Sequence, residues 1–184
     1  MKRVFLILAA AIVAIPLSSP ALAQTDQQKE AARNTTRERL RTLLDTAGQS
    51  KDVNVTFRQS TKQPYNFVGL MNDGFKNAES LEIVISVTPN ETIGFRVFPH
   101  YKGDYVNIDK VKNTVGLLRK LANLNDHNFL YWGADDTGDI FAGYTFTLES
   151  GFPSEAIVIV LRSIRNTDQF MGDLRPFIDG SSAP

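Results

Sequence analysis

The chain has 184 residues, and its 20 Lys and Arg side chains equal its 20 Asp and Glu side chains in number. Charges of the two signs are interspersed, which argues against the concentrated basic face that nucleic-acid binding requires. Cysteine is absent, so the chain forms no disulfide and is no lipid-anchored bacterial lipoprotein. A chain of this length can bury an adequate core unaided, and we expect one domain.

The N-terminus has the pattern of a secretory signal peptide over residues 1–23. Lys2 and Arg3 precede an apolar run from Val4 to Ile15, and the small-residue site Ala21-Leu22-Ala23 follows. The apolar run is shorter than the ~20 residues that a transmembrane helix needs. We therefore expect cleavage of this segment, export to the periplasm or out of the cell, and no membrane span afterwards. A retained N-terminal anchor is the alternative.

A polar segment and a helix come next. Residues 24–34 are polar and predict a flexible leader. Thr35 and Glu38 have the spacing of a capping box, in which each side chain satisfies a free backbone N–H at the helix start. The apolar stripe that follows ends at Gly48, a residue that favours a left-handed helix stop. The stripe consists of Leu40, Leu43, Leu44 and Ala47.

Four strands are predicted between residues 53 and 97, because apolar and polar side chains alternate there. Turn residues at Lys62-Gln63-Pro64 and Asn72-Asp73-Gly74 flank the second strand, Tyr65 to Met71. Short turns between successive strands predict antiparallel neighbours. The alternating apolar residues of the other three strands are Val53, Val55 and Phe57, then Leu81, Ile83, Ile85 and Val87, then Ile93, Phe95 and Val97.

A helix, a hairpin and a second helix complete the chain. Residues 108–125 have helical spacing, and the two strands of 129–148 are joined by turn residues. From Pro153 a last helix is expected to break near Asn166 and to bend or end near Pro176. The stripe predicted for the first of these helices is Ile108, Val111, Val115, Leu118 and Ala122, with Leu121 beside it, and for the last it is Ile157, Leu161 and Ile164.

The resulting order of elements is α-β-β-β-β-α-β-β-α. Runs of strands with helices segregated between them predict an α+β fold, with an antiparallel β-sheet of about six strands and helices packed on it. We expect this single domain to cover residues 35–180, before a tail at 181–184.

Three segments resemble the YbjN-type family: LANLNDHN, ADDTGDIF and SGFPSEAIVIVLRSI. These are bacterial proteins described as sensory transduction regulators, whose fold is similar to type III secretion chaperones. The resemblance covers about residues 36–180 and implies that chaperone-like fold. It also implies a regulatory or chaperone-like role in which a protein or peptide is bound. Pro153 departs from the pattern, because a helix-capping hydroxyl is expected there.

The acidic hairpin turn has two chemical interpretations besides a structural one. Asp136-Thr137-Gly138 matches the core tripeptide of aspartic proteases, which need two such carboxylates; a homodimer would have to supply the second. Asp135, Asp136 and Asp139 suggest calcium, although the spacing of an EF-hand is absent. An ordinary turn explains all of these residues, because Asp and Gly favour its backbone. Whether the tip binds calcium is left open.

Other chemistry has little support in the sequence. His100 and His127 lie in different predicted loops, and no cysteine is present to complete a zinc site. Ser150 lacks the flanking glycine of a nucleophile elbow, and no phosphate- or dinucleotide-binding glycine pattern occurs. We therefore assign no catalytic, cofactor-binding or metal-binding residue and expect a protein that is not an enzyme.

The aromatic loop from Phe98 to Tyr105 is the candidate partner-binding surface. His100, Tyr101 and Tyr105 offer rigid contact area with a polar end, and Lys102 can orient a partner. The plainer interpretation is a connector whose rings fold onto the sheet edge.

The leading hypothesis is an exported, non-enzymatic module that binds a protein or peptide. A hydrolase that uses Asp135, Asp136 and Glu149 is one alternative. The other is a purely structural homodimer in the cell envelope.

Overall fold

The computed structural model describes residues 25–180, so the predicted signal peptide and the tail at 181–184 lie outside the described residues. No helix in this part of the chain has the length and hydropathy needed to cross a bilayer. The elements are α1 (Asp26–Gly48), β1 (Arg58–Gln59), β2 (Asn66–Met71), β3 (Ser80–Val87), β4 (Thr92–Tyr101), β5 (Asp104–Tyr105), α2 (Thr114–His127), β6 (Tyr131–Ala134), β7 (Ile140–Thr147), α3 (Ser154–Ser163), a 3-10 turn (Ile164–Asn166) and α4 (Thr167–Asp179).

The strands form one antiparallel sheet in the order β1-β2-β3-β4-β7-β6, and β5 pairs with the last residues of β4. The α+β class and the antiparallel sheet are therefore confirmed. The short strand β5 is an addition to the predicted elements. The 3-10 turn divides the last helix and so confirms the break predicted near Asn166.

Helix α1 begins at Asp26, so the flexible leader predicted for residues 24–34 is wrong. The capping box lies at Thr25, whose hydroxyl accepts from the Gln28 N–H while the Gln28 side chain accepts from the Thr25 N–H. Thr35, the predicted cap, lies inside the helix. Thr25 with Gln28 and Thr35 with Glu38 both have the spacing of a capping box, and only tertiary contacts decide at which of them the helix begins.

One such contact joins α1 to the sheet. The Arg33 guanidinium lies 3.5 Å from the centroid of the Tyr65 ring. Its Nε and Nη2 atoms both donate to the Val87 carbonyl, at 2.9 and 2.7 Å. This clamp holds the polar first half of α1 against β3, where the sequence offers no apolar stripe to do so.

The helices of residues 25–180 all pack on one face of the sheet, which we call the covered face. On this face, the apolar residues of β3 and the central residues Ile93, Phe95 and Val97 of β4 are at most 1% exposed, because the helices exclude water from them. The main contributors are Phe67, Leu81, Ile83, Ile85, Val87, Ile93, Phe95 and Val97 from the strands, and Leu40, Leu44, Leu117, Ile157, Leu161, Met171 and Leu174 from the helices.

Helix α2 buries a different stripe from the predicted one. It begins at Thr114, after Asn113, whose side chain accepts from the Gly116 N–H. Val115 is 62% exposed and Leu118 is 45% exposed. The stripe that faces the core is instead Leu117, Leu121 and Leu124. Two neighbouring stripes of α2 are apolar, and the docking of the helix on the sheet selects one of them.

The first predicted strand is mostly a loop. Val53, Val55 and Phe57 are buried as the alternation predicts, but only Arg58–Gln59 pair as a strand. Asn54 has φ of 51°, which interrupts the extended backbone that a strand requires.

Helix α4 does not end at Pro176 but continues to Asp179. The last backbone carbonyls of a helix have no donor within the helix. In α4, two of them accept from the loop that precedes α2. The Asn113 N–H donates to the Phe177 carbonyl at 2.9 Å, and the Lys112 N–H donates to the Ile178 carbonyl at 3.1 Å.

Candidate functional site

The face of the sheet opposite the helices forms a groove of about 670 Å³. We call it the open groove; side chains of β2, β3, β4, β6 and β7 line it, among them Asn66, Val84, Ser86, Gly94, Arg96 and Tyr131. The same alternation that buries one side of each strand points the other side into this groove. Its volume lies within the range of ligand-binding clefts.

Two rows of side chains cross the floor of the open groove from strand to strand. One row contains small residues and runs through Asn66, Ser86, Gly94 and Thr145. The next row runs through Val68, Val84, Arg96, Gly143 and Tyr131. The floor is thus shallow and polar beside Gly94, and it rises to aromatic side chains beyond Arg96.

An aromatic cluster closes one end of the groove. The Phe98 ring lies 5.9 Å from that of Tyr105 and 5.7 Å from that of Phe141, between ring centroids. The Tyr131 ring packs edge-on against Phe141 at 6.0 Å. Phe98 and Phe141 are buried by these contacts, whereas Tyr131 is 42% exposed. Tyr131 therefore presents a rigid, partly apolar surface to any occupant.

Arg96 is the exposed cation of the groove. Its guanidinium carbon lies 4.6 Å from the centroid of the Phe141 ring, so the ring supports its flat face. Within residues 25–180 the guanidinium makes no ion pair or hydrogen bond to another side chain or to the backbone. Its N–H donors are therefore available to a molecule in the groove.

The carboxylates near Arg96 interact with other groups of the fold. Burial, and secondly the neighbouring Glu82 carboxylate, raise the pKa of Tyr105 to about 12. Burial alone would raise the pKa of Asp135. Hydrogen bonds from the Thr137 hydroxyl and from the Asp139 and Thr137 N–H groups outweigh burial and lower it. Asp135 therefore organises the hairpin turn.

The structure separates the residues of the predicted partner-binding loop. That segment is a hairpin of β4 and β5, and His100 and Tyr105 lie on the open-groove side with ring centroids 4.4 Å apart. Tyr101 and Lys102 lie on the other side, where each donates to Asp179 at the end of α4, at 2.8 and 2.7 Å. Tyr105 also lines a smaller cavity, of about 280 Å³, together with Tyr101 and Lys102, whereas His100 does not. The role of the four residues in binding stays a prediction.

The carboxylates of the hydrolase hypothesis are not brought together. Asp135 and Glu149 flank opposite ends of β7, whose eight residues span about 25 Å at ~3.3 Å per residue. Asp136 is exposed at the hairpin tip. Among residues 25–180, no three His, Cys, Asp or Glu side chains are grouped to hold a metal ion.

The outer edge of the sheet at β6 is blocked by a side chain. The Asn125 amide accepts from the Trp132 N–H at 2.5 Å and donates to the Trp132 carbonyl at 3.1 Å. It therefore occupies the place that a peptide group of an added strand would take. Such protection disfavours pairing with another chain at this edge.

Sequence reasoning did not single out Gly94, Arg96 or Tyr131. A signal was present in Gly94, because a glycine inside an otherwise regular strand marks a bulge or a close approach of another group. The grouping of these residues depends on the register between β4, β7 and β6, which the sequence does not give.

No family model matches this chain, and no curated protein matches it. The resemblance to the YbjN-type family therefore stays a prediction. Among solved structures, the chain is similar to a chain of the crystal structure of the ExsC-ExsE complex, with a TM-score of 0.44 and 15% sequence identity. The match covers 77% of this chain and 96% of that chain.

Proposed function

We propose that this chain is a non-enzymatic module that binds a polypeptide segment of a partner in the open groove. The observation that carries the proposal is the uncovered second face of the sheet. There, the exposed Tyr131 and Arg96, whose guanidinium has no acceptor within residues 25–180, border a shallow polar floor. Aromatic and arginine side chains of this kind dominate the energetics of protein recognition.

The dimensions of the groove fit a stretch of extended chain. The row from Asn66 to Thr145 crosses four strands, which at ~4.8 Å between strands is about 14 Å. That distance corresponds to about four residues of an extended peptide at ~3.3 Å per residue. The row offers amide and hydroxyl groups for the backbone of such a peptide. The blocked edge at β6 disfavours the alternative of strand addition at that edge.

Site-specific photo-crosslinking tests the proposal. A photoreactive phenylalanine analogue replaces Tyr131 in the open groove or, as the matched control, Ile159 on α3, which is 63% exposed. With an envelope extract, we expect the probe at 131 to form a discrete adduct with one polypeptide, and the probe at 159 to form none. The adduct should map to one short peptide and disappear when Gly94→Val fills the floor. Equal labelling at both positions, or no adduct at 131, would contradict the proposal.

We further propose that the protein acts after export, in the periplasm or outside the cell. The support is the sequence pattern of residues 1–23. Cell fractionation with N-terminal sequencing tests this proposal: a mature chain that begins at Gln24 in the envelope or medium supports it. An uncleaved chain in the cytosolic fraction would contradict it.

A homodimer is the second candidate, favoured by the exposed apolar residues Val115 and Leu118 on α2. If this stripe pairs two copies, Leu118→Lys should convert a dimer to a monomer in sedimentation equilibrium. Arg119→Gln, on the neighbouring exposed position, should not. A wild-type mass of one chain would exclude this role for the stripe.

A further inference from the structure

The guanidinium of Arg33 contacts both an aromatic ring and a backbone carbonyl, whereas within residues 25–180 that of Arg96 contacts only a ring. In the clamp between α1 and β3, Arg33 stacks on Tyr65 and directs two N–H donors to one main-chain carbonyl, that of Val87. In the open groove, the Arg96 guanidinium carbon also lies over an aromatic ring, 4.6 Å from the centroid of Phe141. The described part of the chain supplies no carbonyl to its donors. The acceptor that would complete the arrangement is a backbone carbonyl of a bound chain.

Gly94 lies one row from Arg96 and provides a path for that chain. A glycine inside a strand is destabilising relative to alanine, so its presence calls for a reason. At Gly143 the reason is steric, because a Cβ there would lie 2.6 Å from the Tyr131 ring; at Gly133 a Cβ would make an ordinary contact with the Phe141 ring at 3.4 Å. A Cβ at Gly94 would meet nothing within 4 Å. The space above Gly94 is therefore open, and a bound backbone can approach the strand closely there.

The charge of the groove selects among peptides. Three carboxylates line it, those of Glu82, Asp135 and Asp139, against the single guanidinium of Arg96. Tyr105 adds no charge, because a phenol with an ordinary pKa of ~10 is neutral at physiological pH and the pKa of Tyr105 is raised further, to about 12. An acidic peptide would be repelled by this excess of negative charge, whereas Lys or Arg side chains would be attracted to it.

We propose that the open groove binds an extended, basic segment of a partner polypeptide, with a backbone carbonyl held by Arg96 and the chain crossing the strand at Gly94. The inference rests on the proposed function and deepens it, because it names the chemistry of the segment. The role given to Arg96 is recognition of the backbone. The carboxylates around it set the preference for basic side chains.

Selection from a displayed library of random peptides on the purified protein tests the inference. We expect the selected peptides to be enriched in Lys and Arg and depleted in Asp and Glu. A selected peptide, synthesised with a fluorophore, should bind about tenfold more weakly to Gly94→Val and to Arg96→Gln. Arg119→Gln removes an exposed arginine of α2 outside the groove and should bind as the wild type does. Far-UV circular dichroism and thermal unfolding establish that each variant is folded.

The outcomes distinguish the inference from the function on which it rests. Two outcomes would overturn the inference and leave a peptide-binding groove. In the first, the selected peptides are acidic or uncharged. In the second, Gly94→Val abolishes their binding but Arg96→Gln leaves it unchanged. Binding that neither substitution weakens would place the peptide outside the open groove and would overturn both the inference and the proposed function. So would a wild-type protein that enriches no peptide. Replacing Lys by Glu in a selected peptide should weaken its binding to the wild type; an unchanged affinity would overturn the charge preference.

Discussion

The two faces of the β-sheet are built from the same strands but obey different constraints. On β4, Phe95 points to the covered face and is fully buried, while its neighbours Gly94 and Arg96 point to the open groove. Substitutions on the covered face must preserve volume, because a packed core does not relax around a cavity. Substitutions at solvent-accessible positions of the open face, such as Gly94 and Arg96, are free of that requirement. A residue that is conformationally costly there, such as Gly94, therefore points to binding and not to packing.

The largest expected effect is on the covered face. Phe95→Ala leaves a cavity between the sheet and the helices and removes the edge-to-face contact with Phe146, whose ring centroid is 5.7 Å away. We expect the free energy of unfolding to fall by about 3–5 kcal/mol. On the open face, Thr145→Ala should change it by less than ~0.5 kcal/mol. Urea titrations followed by circular dichroism measure both values, and similar losses would refute the contrast between faces.

The next largest effect concerns Asp168, the buried carboxylate that joins α4 to the segment before β3. It accepts from the backbone N–H groups of Lys76, Asn77 and Ala78, at 2.9, 2.8 and 2.7 Å. Asp168→Asn keeps the shape but removes the charge and part of the acceptor capacity. We expect a loss of about 2–3 kcal/mol of unfolding free energy at neutral pH.

The contribution of Asp168 should also depend on pH. Burial alone would raise the pKa of this carboxyl, but the hydrogen bonds from Ala78, Lys76 and Asn77 outweigh burial and lower it. Its stabilisation is therefore complete above the unfolded-state pKa of ~3.9 and is lost as pH falls through the lower folded-state pKa. The wild type should lose more stability on acidification than Asp168→Asn does. Parallel pH profiles for the two proteins would show that this carboxylate is not coupled to folding.

The same substitution at two strand glycines should have effects of opposite sign. Gly69 lies on the covered face, where a Cβ would be 2.5 Å from Val55 Cγ1 and 2.8 Å from the Phe57 ring. Gly69→Ala should therefore cost about 1–3 kcal/mol through overpacking. Gly94→Ala should be neutral or stabilise the fold by up to ~1 kcal/mol, because alanine loses less backbone entropy. Thermal unfolding measured in parallel checks the pair; a loss at Gly94 would mean that packing requires this glycine.

The smallest expected effect on stability is the difference between substitutions of two neighbouring acids at the rim of the groove. Asp135→Asn weakens three hydrogen bonds within the hairpin turn, and we expect a loss of about 1 kcal/mol. Asp136→Asn, at an exposed position, should change stability by less than ~0.5 kcal/mol. Chemical denaturation of both variants tests the difference. A loss of stability in Asp136→Asn as large as that in Asp135→Asn would contradict the prediction, because it would require a contact of Asp136 that the turn does not contain.

Strand periodicity was a sound guide to the covered face. The alternation in β3 predicted Leu81, Ile83, Ile85 and Val87 as one buried row, and each is at most 1% exposed. The predicted turn chemistry at Asp135–Gly138 is also found, with Asp135 as acceptor. These features depend on neighbours along the chain, which is why sequence patterns capture them.

Helix α2 shows where periodicity fails. Val115 and Leu118 have helical spacing and are exposed, whereas Leu117 and Leu121 have the same spacing and are buried. A pattern of apolar residues defines candidate stripes, but the rotation of the helix is set by its fit to the sheet. The same holds for the start of α1, where the Arg33 clamp to β3 extends the helix through residues with no apolar stripe.

The sequence by itself determined the α+β class, the antiparallel pairing of neighbouring strands and the acidic turn, because each follows from local alternation and turn residues. Only the tertiary structure decided that residues 25–180 would leave one face of the sheet open and that Gly94, Arg96 and Tyr131 would meet there. The physical reason is that burial is a property of layers: the helices of this chain cover one side of the sheet. Which side chains face water then depends on strand register and helix docking, and both are set by contacts between residues far apart in the chain.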